Sequence, residues 1–297
     1  MCVLLYAMPM WAHATNDDAG VLVLGRISDD PKRHYQQLRL LLDYVVPRMR
    51  HVGIREGRIL MAKDAQQMAS YLRRGRVDWV SETAGASMLL QQRTGAIPML
   101  LTERNGASRY RTVFFTRADS PIRDLNDLRG HSIAFQNTVS TSAYFVPAME
   151  VLSRGIPLEI LLSPMDKPDA NSLGYVFGRT ELNIATWVHK RLVDVGTMSD
   201  LDWDDPERLP VAYKRDMRVL YRTEPFPRAL EMVRADLDPA VREGLRQVLL
   251  DAAADPEAGD VLLRYFQTTR FLEIDPATAQ SLDVLREGVN RIGAEVE

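Results

Sequence analysis

The chain has 297 residues, with 37 lysines and arginines against 40 aspartates and glutamates, and its formal net charge of −3 excludes a strongly basic nucleic-acid-binding protein. Hydrophobic residues make up 46% of the chain and charged residues 26%, proportions typical of folded rather than disordered proteins. The single cysteine, Cys2, excludes a disulfide framework and a cluster of thiolate metal ligands.

Residues 1–14 predict a signal peptide. The stretch Val3–Trp11 is apolar, no acidic or basic residue precedes Asp17, and residues 12–14 fit the A-x-A pattern of a signal-peptidase site. The positively charged start of a signal peptide is missing, so a first buried strand or an apolar tail is the alternative interpretation. With the signal peptide, we expect a periplasmic protein.

From Val21 onward, strand-like and helix-like segments alternate. The first helix begins near Pro31, and its apolar residues recur at helical spacing from Leu38 to Met49. For the first part of the chain we predict strands at Val21–Leu24, Arg58–Ala62, Val77–Val80, Ile97–Leu101 and Thr112–Thr116, with helices at Asp64–Leu72 and Ala84–Gln92.

The pattern restarts after Arg117. We predict strands at Ser132–Phe135, Glu159–Leu162 and Leu182–Thr186, and extended segments at Arg218–Tyr221 and Leu230–Val233. We predict helices at Asp124–Leu128, Ser142–Leu152, Asn171–Phe177, Trp187–Val195, Pro239–Ala253, Pro256–Phe266 and Ala277–Ile292.

Alternating strands and helices are typical of an α/β fold with parallel strands. The two runs predict two lobes joined by two crossing segments. We assign residues 15–108 and 225–297 to lobe 1 and residues 109–224 to lobe 2.

The sequence carries no dinucleotide-binding, P-loop or nucleophile-elbow motif, and its five histidines are scattered. Asp200, Asp202 and Asp204 resemble the start of a calcium loop, but the sixth position is Asp205 instead of glycine. We therefore predict no catalytic residue, no cofactor and no bound metal.

A segment with anion-binding chemistry follows the strand that ends at Phe135. After a polar loop that contains Gln136 and Asn137, the residues Ser140, Thr141 and Ser142 open an apolar helix. The first turn of a helix has unpaired N–H groups and a positive dipole end, and the hydroxyls add donors at the same place. Such a site needs neither lysine nor arginine. Simple helix capping by one hydroxyl is the alternative.

This segment and its surroundings resemble the phosphate/phosphite/phosphonate substrate-binding proteins of ABC importers, the PhnD-like family. The resemblance lies in Asp119-Ser120-Pro121-Ile122, Asp127-Leu128-Arg129-Gly130, Ile133-Ala134-Phe135, Ser140-Thr141-Ser142-Ala143-Tyr144 and Pro147. It extends over roughly residues 20–275, and Ala143 replaces the glycine that is usual in the family.

The resemblance implies a type II periplasmic binding protein, in which two α/β lobes close on a ligand by hinge motion. It implies that Ser140, Thr141 and Ser142 hold the oxyanion of a phosphonate, phosphite or phosphate-like ligand. It also implies an ABC permease as the partner and no catalysis. We expect a monomer that binds no nucleic acid.

Position relative to the predicted strands and helices adds further candidate ligand-binding residues, namely Glu82, Thr83, Thr186, Trp187, Tyr35 and Tyr144. Glu82 would repel an anion unless the ligand also carries an ammonium group, and an exposed glutamate that caps the next helix is the alternative. Trp187 is equally compatible with a core position.

Two other functions remain open from the sequence. The first is a sensory module that reports its ligand to a membrane sensor kinase, since similar folds serve both uses. The second is an enzyme on the same scaffold, for which Glu82 is the candidate base.

Overall fold

The computed structural model describes residues 20–296, so the predicted signal peptide at residues 1–14 lies outside the described residues. Within the described range, no helix is both long and apolar enough to cross a membrane.

Fourteen strands are found among the described residues. They are β1 (Val21–Ile27), β2 (Glu56–Ala62), β3 (Trp79–Thr83), β4 (Ile97–Arg104), β5 (Arg109–Tyr110), β6 (Thr112–Arg117), β7 (Ser132–Phe135), β8 (Leu158–Ile160), β9 (Leu173–Phe177), β10 (Val195–Ser199), β11 (Met217–Arg222), β12 (Phe226–Pro227), β13 (Ala229–Val233) and β14 (Thr268–Leu272).

The α-helices of the same range are α1 (Pro31–Arg48), α2 (Ala65–Arg73), α3 (Ala84–Thr94), α4 (Val146–Ser153), α5 (Glu181–His189), α6 (Asp200–Asp204), α7 (Val211–Lys214), α8 (Pro239–Asp251), α9 (Gly259–Arg264) and α10 (Pro276–Glu295). A π-type turn at Thr141–Phe145 leads directly into α4.

The strands form two six-stranded sheets. The first has the order β14-β4-β13-β3-β1-β2, and the second has the order β11-β6-β10-β7-β9-β8. In the first sheet β1 is parallel to β2 and β3, and in the second β7, β8, β9 and β10 run parallel. The chain passes from the first sheet to the second after β4 and returns after β11, and β5 pairs with β12 between them. The predicted α/β fold with two crossing segments is confirmed.

Helix α1 shows how the sequence determines the packing around the first sheet. The Asp30 side chain caps the helix by accepting from the N–H of Arg33, and Pro31 lies in the first turn. The predicted apolar face is buried, with Leu38, Leu41 and Leu42 fully inaccessible to solvent. Each such leucine contributes about 1.5–3 kcal/mol to the stability of the fold.

The predicted helix Asn171–Phe177 is wrong, because Leu173–Phe177 is strand β9. This strand pairs with β7 on one side and β8 on the other, and its first four residues are buried. A strand covered on both faces has a continuous apolar run instead of an alternating pattern, which hides its period.

The next two predicted elements are shifted as a consequence. The residues of the predicted strand Leu182–Thr186 lie in helix α5, which Thr180 caps by accepting from the N–H of Asn183 at 3.1 Å. The predicted helix Trp187–Val195 contains the end of α5 and the first residue of strand β10. Strand β14, which pairs with β4, was not predicted.

Candidate functional site

A cavity of about 490 Å³ lies where strand ends of the two sheets face each other. The first sheet contributes the ends of β1, β3 and β4, and the second contributes residues at or after the ends of β7, β9 and β10. Carboxyl ends of parallel strands are the usual ligand-binding edge of α/β sheets. The residues that line the cavity include Arg26, His34, Lys63, Glu82, Thr83, Arg104, Tyr110, Gln136, Asn137, Ser140, Thr141, Ser142, Phe177, Arg179, Glu181, Asp202 and Arg228.

Three consecutive hydroxyl residues form one wall of the cavity. The Ser140 side chain caps the following turn by accepting from the N–H of Ala143 at 3.2 Å, and the Thr141 Oγ1 accepts from the N–H of Gly85 at 2.7 Å. Ser142 is buried as well. A hydroxyl that accepts a bond still has its own proton to donate. Capping and anion binding are therefore compatible at this segment.

Arginine side chains line the same cavity and supply cationic N–H donors. Arg104 is 8% exposed, and within residues 20–296 its Nε and Nη2 have no hydrogen-bond partner. The Nε of Arg26 is also unpartnered there, while its Nη1 donates to the Ser81 carbonyl at 2.8 Å. Arg228 donates from Nη1 to the Arg104 carbonyl at 2.6 Å. Buried N–H donors without acceptors are unfavourable, and an anion in this cavity would supply acceptors to them.

The sequence indicated that the hydroxyl residues could hold an oxyanion without lysine or arginine, and it did not identify the arginines that line the same cavity. Arg26, Arg104 and Arg228 come from separate parts of the first sheet and its edge, so no local motif contains them. The available signal was the position of Arg26 and Arg104 at the carboxyl ends of otherwise apolar strands.

Two buried carboxylates lie close to these arginines. Glu82 is 3% exposed, and its Oε1 accepts from the N–H of Ile27 at 2.6 Å. Burial raises the pKa of Glu82, and the charges of Arg26 and Arg104 oppose this shift. Glu82 is thus a buried carboxyl group at the cavity wall, and the alternative interpretation, an exposed glutamate that caps the next helix, is wrong.

Glu231 is the second buried carboxylate. It accepts hydrogen bonds from Trp79 Nε1 at 2.6 Å, Thr102 Oγ1 at 2.8 Å and Ser81 Oγ at 3.0 Å. Burial raises the pKa of Glu231, whereas these hydrogen bonds and the charge of Arg104 act in the opposite direction.

The cavity also has acidic lining from the second sheet. The Gln136 Nε2 donates to the Glu181 Oε1 at 2.6 Å, and the Ser199 Oγ donates to the Asp202 Oδ2 at 2.5 Å. Burial, and then the charge of Asp202, raises the pKa of Glu181. A ligand that enters this cavity therefore meets cationic donors and anionic acceptors.

Seven of the predicted site residues line this cavity: Gln136, Asn137, Ser140, Thr141, Ser142, Glu82 and Thr83. Four do not. Tyr144 is 1% exposed and packs against Phe135, with ring centroids 5.5 Å apart. Tyr35 is 45% exposed and lines a separate surface depression on α1.

Thr186 and Trp187 also lie away from the cavity, because the segment that contains them is a helix instead of a strand. The Thr186 Oγ1 donates to the Leu182 carbonyl one turn earlier at 2.7 Å, and Trp187 packs against the apolar core beside the second sheet. Among the residues that the structure describes, no group of three or more His, Cys, Asp or Glu side chains could hold a metal ion.

The fold is α/β, with two mixed β-sheets that face each other across a cavity and are connected by two crossing segments. This architecture defines a type II periplasmic binding protein. The chain belongs to the family described as "ABC transporter, phosphonate, periplasmic substrate-binding protein", whose profile matches residues 27–279. The members of this family are the substrate-binding components of ABC transporters.

The chain is also similar to solved structures. The chain is 57% identical to XAC2383 from Xanthomonas citri bound to a chloride ion, with a TM-score of 0.91 and coverage of 94% of this chain and 100% of that chain. A second XAC2383 structure, bound to ATP, matches at 56% identity, TM-score 0.90 and the coverage values 94% and 100%. PhnD1 from Prochlorococcus marinus in complex with methylphosphonate is 14% identical, with a TM-score of 0.68 and coverage of 92% and 99%.

Proposed function

We propose that this protein is the periplasmic receptor of an ABC importer and that its cavity captures a small ligand with a phosphorus oxyanion group. The observation that carries this proposal is the convergence of Ser140–Ser142 and the unpartnered N–H groups of buried Arg104 on one cavity. Membership of the phosphonate-binding family supports it, as does the ATP bound to the relative that is 56% identical.

The physical basis is the free energy gained when buried donors acquire an acceptor. A buried donor without an acceptor costs about 1–3 kcal/mol, and more when it is charged. An oxyanion supplies acceptors to Arg104 and Arg26 and to the hydroxyls of Ser140 to Ser142. Hydrogen bonds between charged partners are roughly twice as strong as neutral ones. The acidic residues Glu181 and Asp202 suit hydroxyl or amine donors on the same ligand.

Capture involves closure of two lobes, residues 15–108 with 225–297 and residues 109–224. Two hydrogen bonds join the first-sheet side to the hydroxyl segment: Gly85 N–H to Thr141 Oγ1 at 2.7 Å, and Thr83 Oγ1 to the Val139 carbonyl at 3.2 Å. In this proposal both bonds break when the lobes open and form again around the ligand, so that the permease distinguishes the closed form.

The same proposal covers location and partners. Residues 1–14 direct export, the mature protein acts as a monomer in the periplasm, and an ABC permease receives the ligand. Neither a cofactor nor a catalytic step is part of the mechanism.

The test is thermal unfolding of the purified protein against phosphate, phosphite, methylphosphonate, 2-aminoethylphosphonate, ATP and sulfate. A ligand at 100 times its dissociation constant stabilises the folded protein by about 2.7 kcal/mol, which raises Tm by roughly 5–10 °C in a protein of this size. We expect shifts with phosphorus compounds and none with sulfate. The absence of a shift with every phosphorus compound would contradict the proposal.

A further inference from the structure

Two guanidinium groups share one aromatic ring beside the cavity. The Cζ of Arg26 lies 4.2 Å from the ring centroid of Phe266, and the Cζ of Arg104 lies 4.8 Å from the same centroid. Cation–π attraction favours both contacts, whereas the two positive charges repel each other. Burial and the charge of Arg26 lower the pKa of Arg104 to about 10. The protein thus places the guanidinium groups of Arg26 and Arg104 against one aromatic ring.

The backbone at Phe266 is unusual and supports this arrangement. Phe266 has φ 52° and Gln267 has φ 56°, so two consecutive residues with side chains occupy the left-handed region. This conformation is unfavourable for such residues and is maintained only where surrounding contacts enforce it. Here the Gln267 N–H donates to the Leu263 carbonyl at 2.9 Å, and the Asn105 N–H donates to the Gln267 carbonyl at 2.8 Å. Strain of this kind is concentrated at functional sites.

Several N–H donors of Arg26 and Arg104 have no acceptor among residues 20–296. Both arginines line the cavity, and among residues 20–296 the buried Nε of Arg26 and the Nε and Nη2 of Arg104 lack partners. No carboxylate of the described residues forms an ion pair with either side chain, since Glu82 accepts from the Ile27 N–H and Glu231 accepts from Trp79, Ser81 and Thr102. Neither carboxyl group therefore occupies these donors.

The cavity is larger than one tetrahedral oxyanion requires. Its volume of about 490 Å³ lies in the range of cavities that enclose drug-sized ligands. The hydroxyl segment alone offers donors to one phosphorus group. The arginine pair and Arg228 add three further cationic side chains to the same lining. A ligand with two phosphoryl groups would supply more acceptors to these donors than a single phosphonate group.

We propose that Arg26 and Arg104, seated on Phe266, form a second phosphoryl subsite next to the site at Ser140–Ser142, so that the preferred ligand contains a diphosphate or longer phosphoanhydride group. This inference rests on the proposed function and narrows its substrate class. Phe266 acts as a positioning residue that keeps both guanidinium groups in place.

The experiment is titration calorimetry of the full chain with inorganic pyrophosphate, inorganic phosphate and methylphosphonate. We expect the wild type to bind pyrophosphate at least tenfold tighter than the two single-phosphorus ligands, since additional charged hydrogen bonds of the usual strength produce about a tenfold or larger gain. Arg104→Met and Arg26→Met should each weaken pyrophosphate binding by about tenfold to a hundredfold, and should weaken methylphosphonate binding by a clearly smaller factor. Arg74→Met, at an exposed arginine after α2, is the matched control and should change neither.

Two further variants keep the test decisive if a methionine variant fails to fold. Arg104→Lys keeps the charge and removes the planar fork, and Phe266→Leu keeps an apolar side chain and removes the ring face. Both should reduce the preference for pyrophosphate over methylphosphonate. Equal affinities of the wild type for pyrophosphate and methylphosphonate would overturn the inference and leave the proposed function intact. Parallel loss of both ligands in the arginine variants would also overturn it, and failure of the wild type to bind any of the three would overturn both proposals.

Discussion

Thr141 accepts a hydrogen bond from the backbone N–H of Gly85 at 2.7 Å, which connects the hydroxyl segment after β7 to the first turn of α3 beside β3. The contact therefore joins Thr141, which lies beside the second sheet, to Gly85, which lies beside the first sheet. Thr141 also lines the cavity. One hydroxyl therefore contributes both to the contact between the two sides and to the ligand site.

Replacing Thr141 by valine should weaken ligand binding. Thr141→Val keeps the shape and removes the acceptor for Gly85 and the donor for an oxyanion. We expect about a tenfold or larger loss of affinity for the best phosphorus ligand, because a hydrogen bond to a charged group is worth about 1.5–3 kcal/mol. Titration calorimetry of both proteins with this ligand measures the loss of affinity. Thr186→Val, on α5 away from the cavity, is the control, and equal losses in the two variants would contradict the assigned role.

Adding one methyl group at Gly85 should impede the same contact. A Cβ there would lie 2.5 Å from a ring carbon of Phe145 and 3.0 Å from the Thr141 Oγ1. Such overpacking costs about 1–3 kcal/mol, so Gly85→Ala should lower Tm and ligand affinity. Gly259→Ala in α9 is the control, because a Cβ at Gly259 meets nothing within 4 Å. An unchanged Tm in Gly85→Ala would refute the prediction.

Glu231 should be important for stability because four side chains donate to it. Besides Trp79, Ser81 and Thr102, the Tyr265 hydroxyl donates to its Oε1 at 3.1 Å. Glu231→Ala leaves these four buried donors without their acceptor, and we expect a loss of about 3 kcal/mol or more in denaturant unfolding, because each buried donor without an acceptor costs about 1–3 kcal/mol. Glu243→Ala, which breaks an exposed ion pair with Arg246, should cost at most about 1 kcal/mol. A similar small loss for both variants would show that the buried network contributes little.

The contribution of His34 to the stability of the folded protein should fall as the pH is lowered from about 6.5 to 4. Burial, followed by the charge of Arg26, lowers the pKa of His34 from 6.5 to about 4, with Asp29 and Asp30 in opposition. In this pH range the unfolded chain binds a proton at His34 that the folded protein does not bind, so acid favours unfolding. The folded imidazole shares a 2.6 Å hydrogen bond with the Ser28 Oγ.

Tm measured against pH tests this linkage. His34→Gln should lose less stability than the wild type between pH 6.5 and 4, because the variant has no group that titrates at this position. His51→Gln, at an exposed histidine, should follow the wild-type curve. Identical curves for His34→Gln and the wild type would contradict the role of His34.

The parts of the site that could be predicted from the sequence are those in which neighbours in sequence are also neighbours in space. Ser140, Thr141 and Ser142 follow a strand and precede an apolar helix, so their position at a strand end could be inferred locally. Arg26 and Arg104 meet only because β1 and β4 belong to one sheet and Phe266 reaches both side chains. Long-range pairing of this kind leaves no signal in a single sequence.

The errors in the fold have a similar cause. The first four residues of strand β9 are all buried, so its apolar run lacks the alternation that distinguishes a strand from a buried helix. That error placed Thr186 and Trp187 at a predicted strand end and hence at the site. Helix α1, with one face on the core and one in solvent, has the full helical period and was predicted within a few residues.

Helix α10, the last helix, packs against both α3 and α4. The Arg291 Nη2 donates to the Leu152 carbonyl at the end of α4 at 3.0 Å, and a Cβ at Gly288 would lie 2.2 Å from the Met149 sulfur. The two sheets are therefore connected by a helical contact in addition to the crossing segments. In the proposed opening of the lobes this helical contact would have to change, so the packing of Met149 on Gly288 would add a resistance to opening that ligand contacts alone do not determine.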